Sequence, residues 1–239
     1  MTPRNPLRVL AIGAHPDDIE CGCAGTLARC ATRGDSVTIA VAARGDSASS
    51  HLCAEELVGV RGEEARAAAA LIGAEFVELD LCDSGIAITA DNRALFTDLL
   101  RRCDPDVVIT HCDRDYGSDH SNTLALTLDA SVNATVAHFR TDHPAIGRIP
   151  WVHMMEPLGG YAFQPEVYVD ITETFATNRA MLECHRSQIE WMNRYGGMDF
   201  REYIEVVARF RGYQCGVRYA EGFVAHKSFA HVPPGQVLP

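Results

Sequence analysis

The sequence predicts an α/β fold, a Rossmann-like three-layer sandwich with a mostly parallel sheet, formed as a single domain over residues 1–239. Three observations predict it. Short apolar runs without helical period recur along the chain, and helix-length segments separate them, which is the pattern of buried parallel strands joined by crossovers. Two of these runs end directly in polar clusters, placing chemistry at the carboxyl edge of the sheet. The length of 239 residues also falls within the roughly 50–250 residues of one domain.

The elements follow in order. Arg8 to Ala14 (RVLAIGA) reads as the first strand, Glu20 to Arg33 as a helix stopped at Gly34, and Ser36 to Ala43 as the second strand. This βαβ opening carries the expectation of a right-handed crossover and parallel pairing. Arg61 to Ile72 is alanine-rich and helical, and Glu75 to Leu81 is a strand. Asp91 to Cys103 carries Leu95, Leu99 and Leu100 on one helical stripe and is stopped by Asp104-Pro105. Asp106 to Thr110 (DVVIT) repeats the buried-strand signature and runs into His111 to His120. Ser121 to Phe139 reads as a helix, 140–150 as a Pro/Gly loop, Glu166 to Ile171 as a strand, and about 173–191 and 199–211 as two late helices. No internal repeat or interdomain linker interrupts the pattern.

Composition excludes several function classes. The chain has 21 Lys and Arg against 32 Asp and Glu, a net charge of −11, so it repels a phosphate backbone and nucleic acid is not an expected partner. Its 22% charged and 47% hydrophobic residues are those of a globular protein. No apolar run reaches the ~18–20 residues of a membrane span. The start lacks the long apolar stretch and small-residue cleavage site of a secretory signal. Nine cysteines without a paired framework read as free thiols, and the expected location is cytoplasmic.

The chemistry concentrates in two clusters. His15-Pro16-Asp17-Asp18 follows the first strand. Pro16 keeps His15 extended, so the adjacent carboxylates project differently, and one can bind a metal while the other handles protons. The competing reading is a helix cap, since aspartates are favoured in a first turn. In Asp113 to His120 an aspartate precedes a histidine, and Ser121-Asn122-Thr123 can start a helix. One imidazole and one carboxylate from the first cluster with one imidazole from the second make the two-histidine, one-carboxylate set of an open catalytic zinc site. Ferrous iron also suits that set. Asp119 is placed to orient an imidazole from behind, as ligating histidines require.

These residues resemble the PIG-L/LmbE-like zinc-dependent N-deacetylases. The resemblance rests on AIGAHPDDIE, VRGEEARAAAALIGA, LCDSGI, PDVVITH followed by SDH, the late SQ and YAEGF, and runs over about the first 225 residues. Its layout is similar to that of the bacillithiol-biosynthesis and mycothiol-pathway deacetylases. The resemblance implies Zn2+ held by His15, Asp18 and His120, Asp17 as general base and then general acid, and Asp119 as a supporting aspartate. It implies that Arg61 and Asp83 contact an amino-sugar conjugate, a small molecule, and it is compatible with a homo-oligomer. Without the resemblance, Arg61 pairs with Glu64 on a helix surface and Asp83 belongs to a turn with Ser84-Gly85.

The sequence departs from the family at one point. Many members carry a histidine three residues before the zinc histidine, where it helps to stabilise the oxyanion, and this chain has Gly117. Either the metal and backbone amides suffice, or His111, Tyr116, His153 or His185 substitutes, or the activity is altered. His185 reads as a hydrogen-bonded structural histidine. The expected function is hydrolytic removal of an N-acetyl group from an N-acetylglucosamine-type conjugate. The alternatives are a zinc amidase acting on another N-acyl molecule or antibiotic, and a non-catalytic zinc or ligand binder. Of the remaining signals, Cys21 and Cys23 read as packing thiols, Arg44-Gly45-Asp46 as an edge loop, and Gly159 to Pro165 as a lid or a turn.

Overall fold

The protein is described as a computed structural model over residues 5–227, and the expected domain of 1–239 extends past these residues at both ends. Its first strand, β1 (Arg8–Gly13), pairs in parallel with β2 (Ser36–Ala43) on one side and with β4 (Val107–Thr110) on the other. With β3 (Glu75–Leu81), β5 (Trp151–Met155), β6 (Val167–Asp170) and β7 (Ala220–Ala225), the described residues form one seven-stranded sheet in the order β3-β2-β1-β4-β5-β7-β6. β7 runs antiparallel between β5 and β6, so the sheet is mostly parallel, as expected.

Alternation along β1 explains the three layers. Val9 and Ala11 face one core with Val37, Ile39, Val107 and Ile109. Helices α2 (Ala24–Thr32), α3 (Ala54–Ala70), α6 (Phe175–Cys184) and α8 (Phe200–Cys215) close that side through Leu27, Ala68, Met181 and Ala208. Leu10 and Ile12 face the second core, closed by α4 (Ala90–Cys103) and α5 (Ser118–Asn133) through Phe96, Leu99, Leu100 and Leu126. A strand covered on both faces has no polar side to show, which is why RVLAIG reads as a continuous apolar run.

Several expectations need correction. The helix expected from Glu20 to Arg33 is two: α1 (Asp18–Gly22) and α2, broken at Cys23, whose φ of −155° is not helical. The break frees the α2 N-terminus, and Glu221 from β7 reaches it, accepting hydrogen bonds from Gly25 N at 2.8 Å and Thr26 N at 2.7 Å. The first late helix is also divided, into α6, α7 (Arg186–Trp191) and a π-helical turn (Met192–Gly196). α3 starts seven residues before the expected Arg61, and α5 runs Ser118–Asn133 instead of from Ser121 to Phe139. β5 and β7 carry no local signal strong enough to be read from sequence. All nine cysteines are free thiols, and no described helix is long and apolar enough to cross a membrane.

Candidate active site

The chain winds outward from β1 through β2 to β3, then returns to place β4 on the other flank of β1. The loops after β1 and β4 therefore diverge at a switch point, where an open α/β sheet leaves a crevice. Register fixes the rest: Ile12 is opposite Thr110, so His15 and His111 emerge side by side, and Ala14 N donates to His111 Nε2 at 2.9 Å.

The structure brings His15, Asp18 and His120 together, with one ligand atom from each within 4.8 Å of the others. Asp18 sits between the rings, its Oδ2 3.6 Å from His15 Nδ1 and its Oδ1 3.5 Å from His120 Nε2. Each imidazole is held from behind by a carboxylate. Asp119 Oδ2 lies 3.0 Å from His15 Nε2, and Asp115 Oδ1 lies 2.9 Å from His120 Nδ1, off the direction of a well-formed hydrogen bond. Protons on the rear nitrogens leave the forward lone pairs facing Asp18, the condition for ligating a cation. Burial opposes a charge on His15, but Asp18, Asp83 and Asp17 outweigh it and push that imidazole up to about 9. The same surplus of carboxylates favours a bound divalent ion, so these residues fit zinc.

His111, Asp115 and His120 form a second close group. Its hydrogen bonds make it a support. His111 Nε2 already accepts from Ala14 N, and its Nδ1 lies 3.0 Å from Asp115 Oδ2, so His111 has no free lone pair. Asp115 spans two imidazoles, and burial notwithstanding, its contacts with His111 and His120 hold it well below the usual carboxylate range.

Asp119 thus supports His15 across the site and not its neighbour His120; Ser84 N also donates to it at 2.6 Å. Helix geometry is the reason, because consecutive residues on α5 point about 100° apart while Asp115 precedes the helix and can reach back. The spacing of His111 and Asp115, four residues apart, was the available sequence signal for that pair.

Asp17 precedes α1 with φ of 113°, a left-handed conformation that costs a non-glycine residue roughly 1–3 kcal/mol. Burial raises its carboxyl and Asp18 adds to this, while Arg61 opposes them, leaving it at about 6. Arg61, 2% exposed, does not pair with Glu64. Its Nη2 donates to Pro16 O at 2.6 Å and lies 3.4 Å from Asp17 Oδ1, whereas Glu64 accepts from Ser187. Gly45, at φ of +76°, admits this guanidinium: a Cβ there would stand 2.7 Å from Arg61 Nε. Asp83 clasps the same loop, accepting from Gly45 N at 2.9 Å and Ser47 N at 3.1 Å, and stands 3.9 Å from Arg61 Nη1.

Tyr116, 71% exposed, joins Asp17, Asp18, His111 and His120 around a cleft of about 60 Å³, with its ring edge-on to His120 at 4.8 Å. Of the other expected substitutes for a histidine at 117, His185 is fully buried with Nε2 3.3 Å from Glu20. His153, held low at about 4 by burial, lies in β5 and does not line the cleft.

A family model described as GlcNAc-PI de-N-acetylase (PIG-L) matches residues 10–131, which carry both clusters. The chain belongs to the PIG-L family. Among relatives, it is 25% identical to the diacetylchitobiose deacetylase of Thermococcus kodakarensis over 94% of this chain and 88% of that protein. It is 26% identical to the 4-oxalmesaconate hydratase of Pseudomonas putida over 75% of this chain and 73% of that protein. Among solved structures, the conserved protein TT1542 of Thermus thermophilus superposes with a TM-score of 0.80 at 28% identity, covering 97% of this chain and all of that one. The family's match thus ends within α5, and the structural likeness carries the fold through the remaining strands.

Proposed function

We propose that this PIG-L protein is a zinc-dependent hydrolase that removes the N-acetyl group from an N-acetylglucosamine-type conjugate, releasing acetate and a free amine. The observation that carries the reading is the placement of Asp17, largely buried and near a pKa of 6, beside three inward-facing ligand groups. His15, Asp18 and His120 would hold the metal. Bound there, zinc supplies Lewis acidity and lowers the pKa of water toward ~7.

The chain's own groups do the remaining work. Asp17 accepts a proton from the attacking water as its oxygen bonds to the acetamide carbon, then returns that proton to the amine nitrogen as the C–N bond breaks. Arg61 keeps Asp17 ionised between turnovers and fixes the strained backbone through Pro16 O. Tyr116 donates its hydroxyl proton as a hydrogen bond to the developing oxyanion, the part Gly117 has no side chain to play. Asp119 and Asp115 hold the two imidazoles, and Asp83 shapes the loop that faces the sugar.

The reading is tested by acetate release from a panel of N-acetylglucosaminyl conjugates, with metal-reconstituted protein and with a chelator. Chelator-sensitive acetate is the expected result; a folded, metal-loaded protein silent across the panel would overturn it. The hydratase relative supports a second reading, in which Asp17 serves water addition to a carbon–carbon double bond. Loss of the absorbance of 4-oxalmesaconate without acetate release from the N-acetyl panel would decide for that reading.

A further inference from the structure

The cleft of about 60 Å³ has two unlike sides. Asp17, Asp18, His111 and His120 line one, whereas Met155, Pro157, Leu158, Phe200 and Tyr203 make the other apolar. We propose that Tyr203, backed by Leu158 and Phe200, ends the pocket for the acyl group and so limits it to acetyl, an inference that rests on the deacetylase reading and deepens it.

The chemistry of the amide orients it. Its carbonyl carbon has to meet Asp17, which leaves the amine half and the methyl on opposite sides. A hydroxyl-rich sugar loses hydrogen bonds against an apolar wall, whereas a methyl gains by leaving water. Leu158, Phe200 and Tyr203 belong to one apolar cluster with Leu182 and Ile204, and Met155 is 3% exposed. Gly22 lets Met155 into the floor, since a Cβ there would stand 2.5 Å from its Sδ. A cavity of about 150 Å³ holds the six carbons of benzene, so about 60 Å³ takes roughly two to three heavy atoms, and an acetyl group has three.

The wall is fixed in place. Tyr203 stands in the first turn of α8, and its Oη accepts from Gly159 N at 2.8 Å, which ties the helix to the loop carrying Pro157 and Leu158. Further along α8, Arg211 donates to Glu156 at the start of that loop, from Nε at 2.7 Å and from Nη2 at 2.6 Å. A smaller cavity of about 20 Å³, whose lining includes Ile204, Val207 and Ala208, adjoins the cleft. The two share Cys21, Gly22, Glu156 and Tyr203, so these four residues part them. Gly22 has no side chain, Cys21 has a small one, and Glu156 is bound to Arg211, which leaves the Tyr203 ring as the body of the partition. Met155, Leu158, Phe200 and Tyr203 all lie beyond residues 10–131 that the family model matches, so the family's motifs do not specify this limit.

The test takes a conjugate that releases acetate, prepares it with N-acetyl and with N-butanoyl groups, and measures the free amine, which is the same product from both. In the metal-reconstituted protein kcat/KM should favour acetyl by about 10- to 200-fold. Tyr203→Ala and Leu158→Ala should each reduce that ratio about tenfold by raising turnover of the butanoyl substrate, and Tyr203→Phe, which keeps the ring, should retain it. Damage to the fold lowers both substrates together and leaves the ratio in place. A wild-type protein indifferent to acyl length, or a ratio unchanged in every alanine variant that folds, overturns the acyl limit and leaves deacetylation standing. No free amine from any conjugate removes the deacetylase reading and this inference with it.

Discussion

Arg61 and Asp17 face each other across 3.4 Å, and the same guanidinium grips the Pro16 carbonyl one residue before that aspartate. One buried cation therefore sets both the charge and the backbone conformation of the proposed base. Ionised Asp17 is the competent form, and Arg61 favours ionisation against burial and Asp18. Activity is expected to fall as pH drops through about 6. In Arg61→Met the carboxyl rises, so that acid limb moves to higher pH and activity near neutrality drops but recovers in alkali. A kcat/KM profile whose limb stays in place would refute the pairing.

Asp17→Asn should keep its metal and lose about 100- to 10,000-fold in kcat, the range of a positioned acid–base group. His120→Ala should lose the metal itself. Metal content by mass spectrometry beside turnover separates the two, and wild-type turnover by Asp17→Asn would remove it from the mechanism.

The crossed support of the two imidazoles predicts that Asp119→Ala and Asp115→Ala each weaken metal binding about 10- to 100-fold, although only one adjoins His120 in sequence. Competition with a chromogenic chelator measures this. Unaltered affinity in Asp115→Ala would assign it to packing.

Tyr116→Phe should cost about 100-fold in kcat with little change in KM, as for a lost oxyanion donor. Gly117 has ordinary extended angles, and the nearest atom to an added Cβ is 3.9 Å away in the His120 ring, so a side chain fits there. Gly117→His should then restore part of the turnover of Tyr116→Phe; a double variant no better than the single one counts against the hydroxyl.

Glu221→Gln replaces an acceptor shared by Gly25 N, Thr26 N and Asn178 Nδ2 with an amide that meets one of those donors with its own N–H. An unsatisfied buried donor costs about 1–3 kcal/mol. The melting temperature should fall by several degrees in a thermal scan, and an unchanged midpoint would show that the α2 N-terminus does not depend on this carboxylate.

Much of the frame was legible beforehand. β2 and β3 match their expected limits, and β1 and β4 differ by one residue at one end; β1, β2 and β4 are buried on both faces and read as apolar runs, whereas the edge strand β3 is half-exposed and keeps Glu75, Glu78 and Asp80. That His15, Asp18 and His120 meet was legible because the segments after β1 and β4 emerge at one edge of the sheet. Helix ends were less legible: α3 begins at Ala54, where Cys53 and Glu56 form its cap, and that signal is weaker than the alanine run that follows. β7 was missed because AEGFVA is short, carries a glycine, and takes its place from partners at 151–155 and 167–170.

The sequence by itself determined the strand–helix alternation, the residue types able to bind a divalent ion, and the sheet edge at which they emerge, because these depend on local period and neighbouring residues. Only the tertiary structure decided that Asp119 serves His15, that Asp115 serves His120 and His111, and that Arg61 turns from Glu64 to Asp17. Those partnerships join segments up to 104 residues apart. They are set by the register of β1 against β4 and by the packing of α3 over the loop at Gly45, which no local pattern encodes.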